Sequence, residues 1–379
     1  MVVLLLVLVA MSFGTTAPET GPCRASLPRG PAVPAPIVLR TTCGGFRLAR
    51  DGTIGRLPLR WFDARAGGTG RRYGADLRIQ RTRSGRIVLL RHGRVVWRSR
   101  NLYYRDGGDL AFGPGAFAFA SYRRGIFVTD LKGPERVIVR GVGLYPLAFL
   151  RDGKLLVTQR GSVSVVSQDG SVLRRYRYRP RNGYVFDERT ESLFFVTRER
   201  VLARAEGTSV RPVRPLRELD GWLSLLGRDL LSFYDDHSVA VTRRDGTLVA
   251  RASWPDTAGW GLDGGLYPSS DGSRFAFRLI KPSRDGVTGG PAVVYVLGAG
   301  EEQAHAIYRH RLGESGCAIG ASLAWHGSSL LYSSTDGDLA VLDTRAGDVL
   351  ALRDLAAALP SHVPGVRATA YWASDLARR

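Results

Sequence analysis

Cysteine, histidine and lysine are scarce in this chain of 379 residues. The 3 cysteines and 6 histidines exclude a disulfide-dense scaffold and argue against a protein with several zinc sites. A membrane-spanning helix of about 20 apolar residues is not indicated by the N-terminal apolar run, which covers only residues 2–9. Apolar residues still make up 44% of the chain, which is enough for a packed core and excludes wholesale disorder.

The N-terminal apolar run instead suits the hydrophobic part of a signal peptide. Small residues at Ser12 and Gly14 follow it and offer a cleavage site. We therefore expect residues 1–14 to be a signal peptide or an apolar anchor, and the protein to be extracytoplasmic, either secreted or associated with the cell envelope.

A spacer rich in proline and alanine follows at residues 15–36, and two of the cysteines flank it. In an oxidising compartment Cys23 and Cys43 could pair, which would leave Cys317 unpaired. The alternative is three independent cysteines, with Cys43 and Cys317 buried as small apolar residues. The sequence leaves both interpretations open.

The charge is strongly positive, at +20, and 51 of the 54 basic residues are arginines. Such a field attracts anionic polymers non-specifically. Because the arginines are scattered instead of forming one basic arm or helix, we expect no specific nucleic-acid binding. Arginine and tyrosine alternate at residues 174–179, which is typical of a charged outer edge strand; an acidic-polymer patch is the alternative.

One sequence pattern recurs from residue 77 onward: short apolar strands separated by tight polar turns, often Asp-Gly. Its first strands begin at Leu77, Leu110, Leu147, Tyr184, Leu223, Leu266 and Leu323. A period of about 40 residues with four strands per unit is typical of a β-propeller blade. One four-stranded meander cannot bury both of its faces alone, so the units must pack on each other.

We therefore predict an all-β fold, with residues 37–379 forming a single β-propeller of four-stranded blades. The C-terminal segment Thr369–Trp372 resembles another first strand with no second strand after it. We expect it to pair with residues between about 37 and 60 near the N-terminus, for instance residues 37–40 or 46–49, and so to close the ring between the two termini. We expect seven blades, with eight as the alternative.

Two segments carry a family resemblance. Residues 268–277 (PSSDGSRFAF) resemble the repeat motif of TolB-like propellers. Residues 341–347 (VLDTRAG) are similar to the strand-turn motif of WD40-like repeats. The resemblance implies a rigid non-catalytic disc that is used for binding, often outside the cytoplasm. It implies no particular partner.

The candidate binding residues come from the longest loops. Residues 281–290 and 311–320 are long insertions, and such loops on a rigid frame are where binding tends to reside. We predict a recognition surface at one mouth of the central channel of the propeller. This surface includes Trp254, Trp260, Arg284 and Asp285. The alternative is that these tryptophans fill the space between blades.

The sequence contains no nucleophile elbow, phosphate-binding loop, zincin motif or Cys-x-x-Cys pair. We therefore expect no catalytic residues, cofactor or metal, and a monomer that binds a protein or an anionic cell-envelope polymer. The alternative is a propeller-type lyase or glycosidase acting on an anionic carbohydrate. That activity needs two carboxylates, or a histidine with a tyrosine, to converge at the channel mouth.

Overall fold

The computed structural model describes residues 23, 25–57, 77–81, 86–91, 94–101, 110–113, 115–121, 124–216, 221–235, 237–254, 259–262, 265–282, 289–310, 322–334, 338–361 and 369–374. These residues form thirty-two strands in eight antiparallel sheets, with one short helix, α1 (Arg353–Ala358). Among them, no helix has the length and apolar character needed to cross a membrane.

The strands are numbered in chain order. Sheet 1 contains β1 (Ile37–Thr41), β2 (Gly44–Leu48), β3 (Ile54–Leu57) and β32 (Thr369–Trp372). Sheet 2 contains β4 (Leu77–Arg81), β5 (Ile87–Arg91) and β6 (Arg94–Arg98). Sheet 3 contains β7 (Ala111–Gly113), β8 (Ala116–Ser121), β9 (Gly125–Thr129) and β10 (Arg136–Val139). Sheet 4 contains β11 (Tyr145–Phe149), β12 (Leu155–Gln159), β13 (Ser162–Val166) and β14 (Val172–Arg177).

The second half of the chain repeats the same pattern. Sheet 5 contains β15 (Tyr184–Asp187), β16 (Ser192–Val196), β17 (Val201–Glu206) and β18 (Ser209–Pro215). Sheet 6 contains β19 (Trp222–Leu226), β20 (Leu230–Tyr234), β21 (Ser238–Arg243) and β22 (Leu248–Ser253). Sheet 7 contains β23 (Gly261–Leu262), β24 (Tyr267–Pro268), β25 (Arg274–Pro282), β26 (Gly289–Gly298) and β27 (His305–His310). Sheet 8 contains β28 (Ser322–His326), β29 (Ser329–Ser333), β30 (Leu339–Asp343) and β31 (Val349–Ala351).

The predicted pairing of the two ends of the chain is confirmed. Strand β32 pairs antiparallel with β1, with Ile37 opposite Trp372 and Arg40 opposite Thr369. The described residues form eight sheets and not the seven that we expected, so the alternative of eight is the better description. The reason is that β1–β3 and β32 make a whole sheet of their own instead of completing the sheet of β4–β6.

Each sheet is buried by its neighbour in sequence. Seven hydrophobic clusters in the described part of the chain each join two consecutive sheets, from sheet 2 to sheet 8 and then to sheet 1. Phe275 and Phe277, for example, pack with Val239 and Val241 across the interface of sheets 6 and 7. Because inner strands have a neighbour on both faces, strands such as β13 are buried along their whole length.

Tight turns with positive φ allow this packing. Gly170 in the β13–β14 turn has φ +95°, and a Cβ there would lie 2.0 Å from the carbonyl oxygen of Ile138 in sheet 3. Only glycine fits this close approach of two backbones. The carboxylate of Asp169 accepts the N–H of Ser171 at 3.0 Å and completes the predicted Asp-Gly turn.

The outer strand β14 has the predicted alternation. Tyr176 is buried in the cluster between sheets 4 and 5, while Arg174, Arg175 and Arg177 are exposed. These charges make the edge unfavourable for pairing with another strand.

The segment before β1 is attached to sheet 1. Cys23 and Cys43 form a disulfide with a Cα–Cα distance of 5.3 Å, so the paired interpretation is confirmed. Val33 and Ala35 are buried in the cluster of sheets 1 and 8, and the N–H of Val33 donates to the carbonyl of Arg50 at 3.0 Å. The later part of the predicted spacer therefore packs as part of the folded unit. The predicted signal peptide at residues 1–14 and Cys317 lie outside the described residues.

Candidate functional site

The antiparallel order of the strands defines two ends for every four-stranded sheet. The first strand begins, the second ends, the third begins and the fourth ends on the same side. This side, which we call the connection face, carries the connections between sheets and the turns between second and third strands. The opposite side, the hairpin face, carries the remaining turns.

Trp222 is the largest exposed apolar side chain among the described residues, with 57% of its surface accessible. It is the first residue of β19 and therefore lies on the connection face. Gly221, which precedes it, has φ +111°, and a Cβ there would lie 2.3 Å from the carbonyl oxygen of Tyr234. The backbone that carries Trp222 is thus held against β20 by a position that only glycine can occupy.

A buried asparagine fixes the same backbone from the other side. Asn182 Nδ2 donates to the carbonyl of Gly221 at 2.8 Å, and the N–H of Leu223 donates to the carbonyl of Asn182 at 2.9 Å. These bonds connect the segment between sheets 4 and 5 to the start of sheet 6. Trp222 is therefore an exposed side chain on a rigid base.

Trp222 lines a cleft of about 470 Å³. It is lined by Arg160 and Gly161 from the β12–β13 turn, and by Tyr178, Pro180, Gly183 and Tyr184 from the connection to sheet 5. The rings of Tyr178 and Tyr184 pack together with a centroid distance of 5.2 Å. A Cβ on Gly183 would lie 3.7 Å from Cε3 of Trp222, so the indole rests close to this backbone.

A second cleft, of about 430 Å³, is also lined by Trp222. Its lining includes Arg181, Tyr234, Asp235, His237 and Leu262. Asp235 Oδ1 accepts the N–H of His237 at 2.8 Å and the hydroxyl of Ser238 at 3.0 Å. These bonds commit this carboxylate oxygen to the turn between β20 and β21.

The two arginines of these clefts differ from those that the fold uses for packing. Within the described residues, the exposed side chains of Arg160 and Arg181 make no hydrogen bond or ion pair. Arg244, in contrast, is ion-paired with Asp187 and lies over the ring of Phe194 at 5.5 Å. Burial raises the pKa of Asp187, but hydrogen bonds from Thr190 and Arg244 outweigh it and the pKa is lowered overall. The positive charge at the clefts is therefore available to a ligand.

Consecutive four-stranded antiparallel sheets that pack face to face, with the two ends of the chain sharing one sheet, define the fold. The chain is a β-propeller repeat protein. This agrees with its resemblance to TolB-like and WD40-like repeats. The clefts around Trp222 lie on the connection face of blades 4 to 7 of the propeller.

Comparison with protein-family models gives no match for this propeller, and comparison with curated proteins gives none either. Among solved structures it is similar to BamB from Moraxella catarrhalis, with 15% identity, a TM-score of 0.44 and coverage of 73% of this chain and 85% of that one. It is also similar to the dihydro-heme d1 dehydrogenase NirN, with 16% identity, a TM-score of 0.47 and coverage of 93% and 78%. For apo AztD from Citrobacter koseri the identity is 10%, the TM-score 0.47 and the coverage 89% and 96%.

The tryptophans predicted from the sequence, Trp254 and Trp260, are not among the residues that line the second cleft. Trp254 is half-buried and stacks on Phe277 with a centroid distance of 5.6 Å, and Trp260 packs against the same cluster between blades 6 and 7. The N–H of Trp254 donates to the carbonyl of His237 at 2.9 Å, so the predicted loops and the observed cleft meet at this residue. Arg284 and Asp285 lie outside the described residues, and the binding role of all four residues stays a prediction.

Sequence analysis did not place Arg160, Arg181 and Trp222 in the site. A signal existed for Trp222, because it immediately precedes Leu223, the first apolar residue of a repeat. A large aromatic residue at the beginning of a first strand stands at the rim of the connection face, where no neighbouring strand covers it. The two arginines carried no comparable signal, since arginine is abundant throughout the chain.

A larger cleft, of about 540 Å³, lies on the hairpin face between blades 3 and 4. Four glycines and the aliphatic or aromatic side chains of Ile138, Phe149 and Leu155 form much of its wall. Its carboxylate, Asp130, accepts the N–H groups of Lys132 at 2.9 Å and Gly133 at 3.0 Å, and these bonds hold its pKa below the usual value. This cleft is a gap between turns, and its carboxylate, Asp130, is already hydrogen-bonded within its own turn.

A polar network lies between blades 7 and 8 but is closed to ligands. His310 Nδ1 lies 2.7 Å from Asp338 Oδ2, and both side chains are buried. The hydroxyl of Tyr308 donates to the same carboxylate at 2.9 Å, and burial with this neighbouring charge raises the tyrosine pKa. Within the described residues, no group of three histidines, cysteines or acids could hold a metal ion.

Proposed function

We propose that this propeller is an exported, non-catalytic binding protein that captures a protein or polymer partner of the cell envelope on its connection face. The observation that carries the proposal is the exposed indole of Trp222, which lines two clefts. Tryptophan, tyrosine and arginine are the residues that contribute most to recognition surfaces, and all three types converge here. A rigid base under Trp222 reduces the ordering cost of binding.

Two features support an extracytoplasmic location. The Cys23–Cys43 disulfide suits an oxidising compartment, because cytoplasmic thiols are kept reduced. The apolar run at residues 2–9 is typical of an export signal. We retain residues 1–14 as the proposed signal or anchor, residues 15–36 as the proposed spacer, the later part of which packs against sheets 1 and 8, and a monomer as the proposed state.

The test is capture of partners from cell-envelope extracts by the full chain, at physiological salt and again at high salt, which removes binding that comes only from the positive charge. Trp222→Ala should abolish capture. Leu248→Ala is the matched control, since Leu248 is a similarly exposed apolar residue on the outer strand of the same blade. Capture that survives in the Trp222 variant would refute the proposed site.

A further arm of the same experiment tests the loops predicted from the sequence. Replacing Trp260 and Arg284 together should reduce capture if those loops extend the recognition surface. Unchanged capture by this double variant would remove them from the site and leave the cleft around Trp222 unaffected.

A second candidate function is cleavage of an anionic carbohydrate by a lyase or glycosidase. It is favoured by one observation: Tyr234 and His237 line the same cleft as Arg181. A histidine and a tyrosine in one cleft are one of the two residue combinations that this activity needs, and the proposal adds that this cleft lies at the channel mouth. Release of reducing ends from a polyuronate, lost in His237→Gln, would establish catalysis, whereas stable binding without cleavage would exclude it for that substrate.

A further inference from the structure

The ligand class can be inferred from the residues that line the two clefts that share Trp222. One cleft carries Arg160 and the other carries Arg181, and the exposed indole of Trp222 lines both, so each of the two clefts joins one cationic group to the same indole. Each cleft has a volume in the range of small-ligand sites, about 300–1,000 Å³. A ligand that fills both clefts contacts Trp222, the residue that the two linings share.

The indole ring of Trp222 determines which kind of ligand surface can pack against it. The face of an aromatic ring carries partial negative charge and attracts the weakly positive C–H groups of a flat apolar surface. A pyranose ring presents such a surface on one side and hydroxyl groups around its rim. Tyr178, Tyr184, Tyr234 and His237 line the clefts with aromatic bodies and polar tips, which can meet those hydroxyls.

The arginines determine the charge of the ligand. A guanidinium binds a carboxylate through two parallel hydrogen bonds, and neither Arg160 nor Arg181 has an ion-pair partner among the described residues. The described carboxylate in these clefts, Asp235, is held by its turn. The site therefore favours an anionic ligand with carboxylates spaced along a stiff chain.

We propose that the cleft around Trp222 binds a carboxylated polysaccharide, with one sugar ring stacked on the indole and flanking carboxylates on Arg160 and Arg181. This inference rests on the proposed binding function of the same cleft and specifies its ligand class. An acidic peptide is the rival occupant. It fits less well, because side-chain carboxylates on a flexible chain lose more freedom on binding than those of a stiff glycan.

The test measures affinity of the full chain for polygalacturonate by titration calorimetry at physiological salt, with neutral dextran and poly-L-glutamate as comparison probes. Trp222→Ala and the double variant Arg160→Gln/Arg181→Gln should each weaken polygalacturonate binding about tenfold or more. The control double variant Arg174→Gln/Arg177→Gln removes the same charge from the exposed outer strand β14. It should change affinity by less than about threefold.

The other outcomes separate the two proposals. Equal losses in both arginine double variants would overturn the inference, since binding would then follow net charge. Binding of poly-L-glutamate but not polygalacturonate, with dependence on Trp222, would also overturn it and identify an acidic peptide. If polygalacturonate does not bind while envelope capture still requires Trp222, the ligand class is wrong and the binding function stands. If neither polygalacturonate binding nor envelope capture depends on Trp222, both proposals are wrong.

Discussion

The contact between the two ends of the chain can be tested through Trp372, the last residue of β32. Its side chain is fully buried in the cluster of blades 1 and 8, and its indole Nε1 donates to the carbonyl of Ala324 at 2.8 Å. Trp372→Ala removes a large buried side chain, which costs about 3–5 kcal/mol, and leaves the Ala324 carbonyl without this donor. Trp372→Phe keeps most of the packing and should cost about 1–3 kcal/mol.

Urea unfolding followed by far-ultraviolet circular dichroism measures these losses without depending on tryptophan fluorescence. Trp222→Ala is the control, because its side chain is exposed, and its free energy of unfolding should stay within about 0.5 kcal/mol of the original protein. If Trp372→Ala is no more destabilising than Trp222→Ala, the terminal strand does not secure blade 1 and the reasoning is refuted.

Two further predictions concern turns. Gly170→Ala should lower the free energy of unfolding by about 2 kcal/mol or more, because its Cβ would meet the Ile138 carbonyl at 2.0 Å. Gly207→Ala, with φ +55° and no atom within 4 Å of its Cβ, should cost only about 1 kcal/mol; equal losses in thermal or urea unfolding would contradict the clash. Hydrogen bonds from Ser269 and Ser273 lower the pKa of Asp271 from 3.8 to about 2. A lowered pKa stabilises the fold above pH 3.8 and this contribution is lost as the pH falls towards 2, so Asp271→Asn should flatten that part of the stability–pH curve. Parallel curves for the two proteins would exclude the carboxylate as the cause.

Much of the fold could be predicted because its signals are local. Short apolar runs, Asp-Gly turns such as Asp169-Gly170 and a repeat of about 40 residues specify strands and hairpins within one segment. Thr369–Trp372 could be matched to the segment of about residues 37–60 because a lone first strand needs a partner, and the structure selects residues 37–40 within it. The Cys23–Cys43 disulfide remained one of two interpretations, since spacing alone does not bring two sulfurs together.

The number of sheets could not be counted from the repeats. It depends on whether β1–β3 and β32 form their own sheet or join the sheet of β4–β6, and both arrangements satisfy the same strand pattern. The choice is made by packing, because β1 and β32 bury Ile37, Leu39 and Trp372 against blade 8.

The sequence by itself determined an all-β repeat architecture, because short apolar runs and the turns between them depend on consecutive residues. Only the tertiary structure decided which tryptophan faces solvent. Trp254 and Trp260 lie in connections that the next blade partly covers, whereas Trp222 stands at the rim, where the turn at Gly221 and the bonds from Asn182 hold it in the open. Exposure is set by the neighbours that packing brings to a side chain, and these neighbours are distant in the sequence.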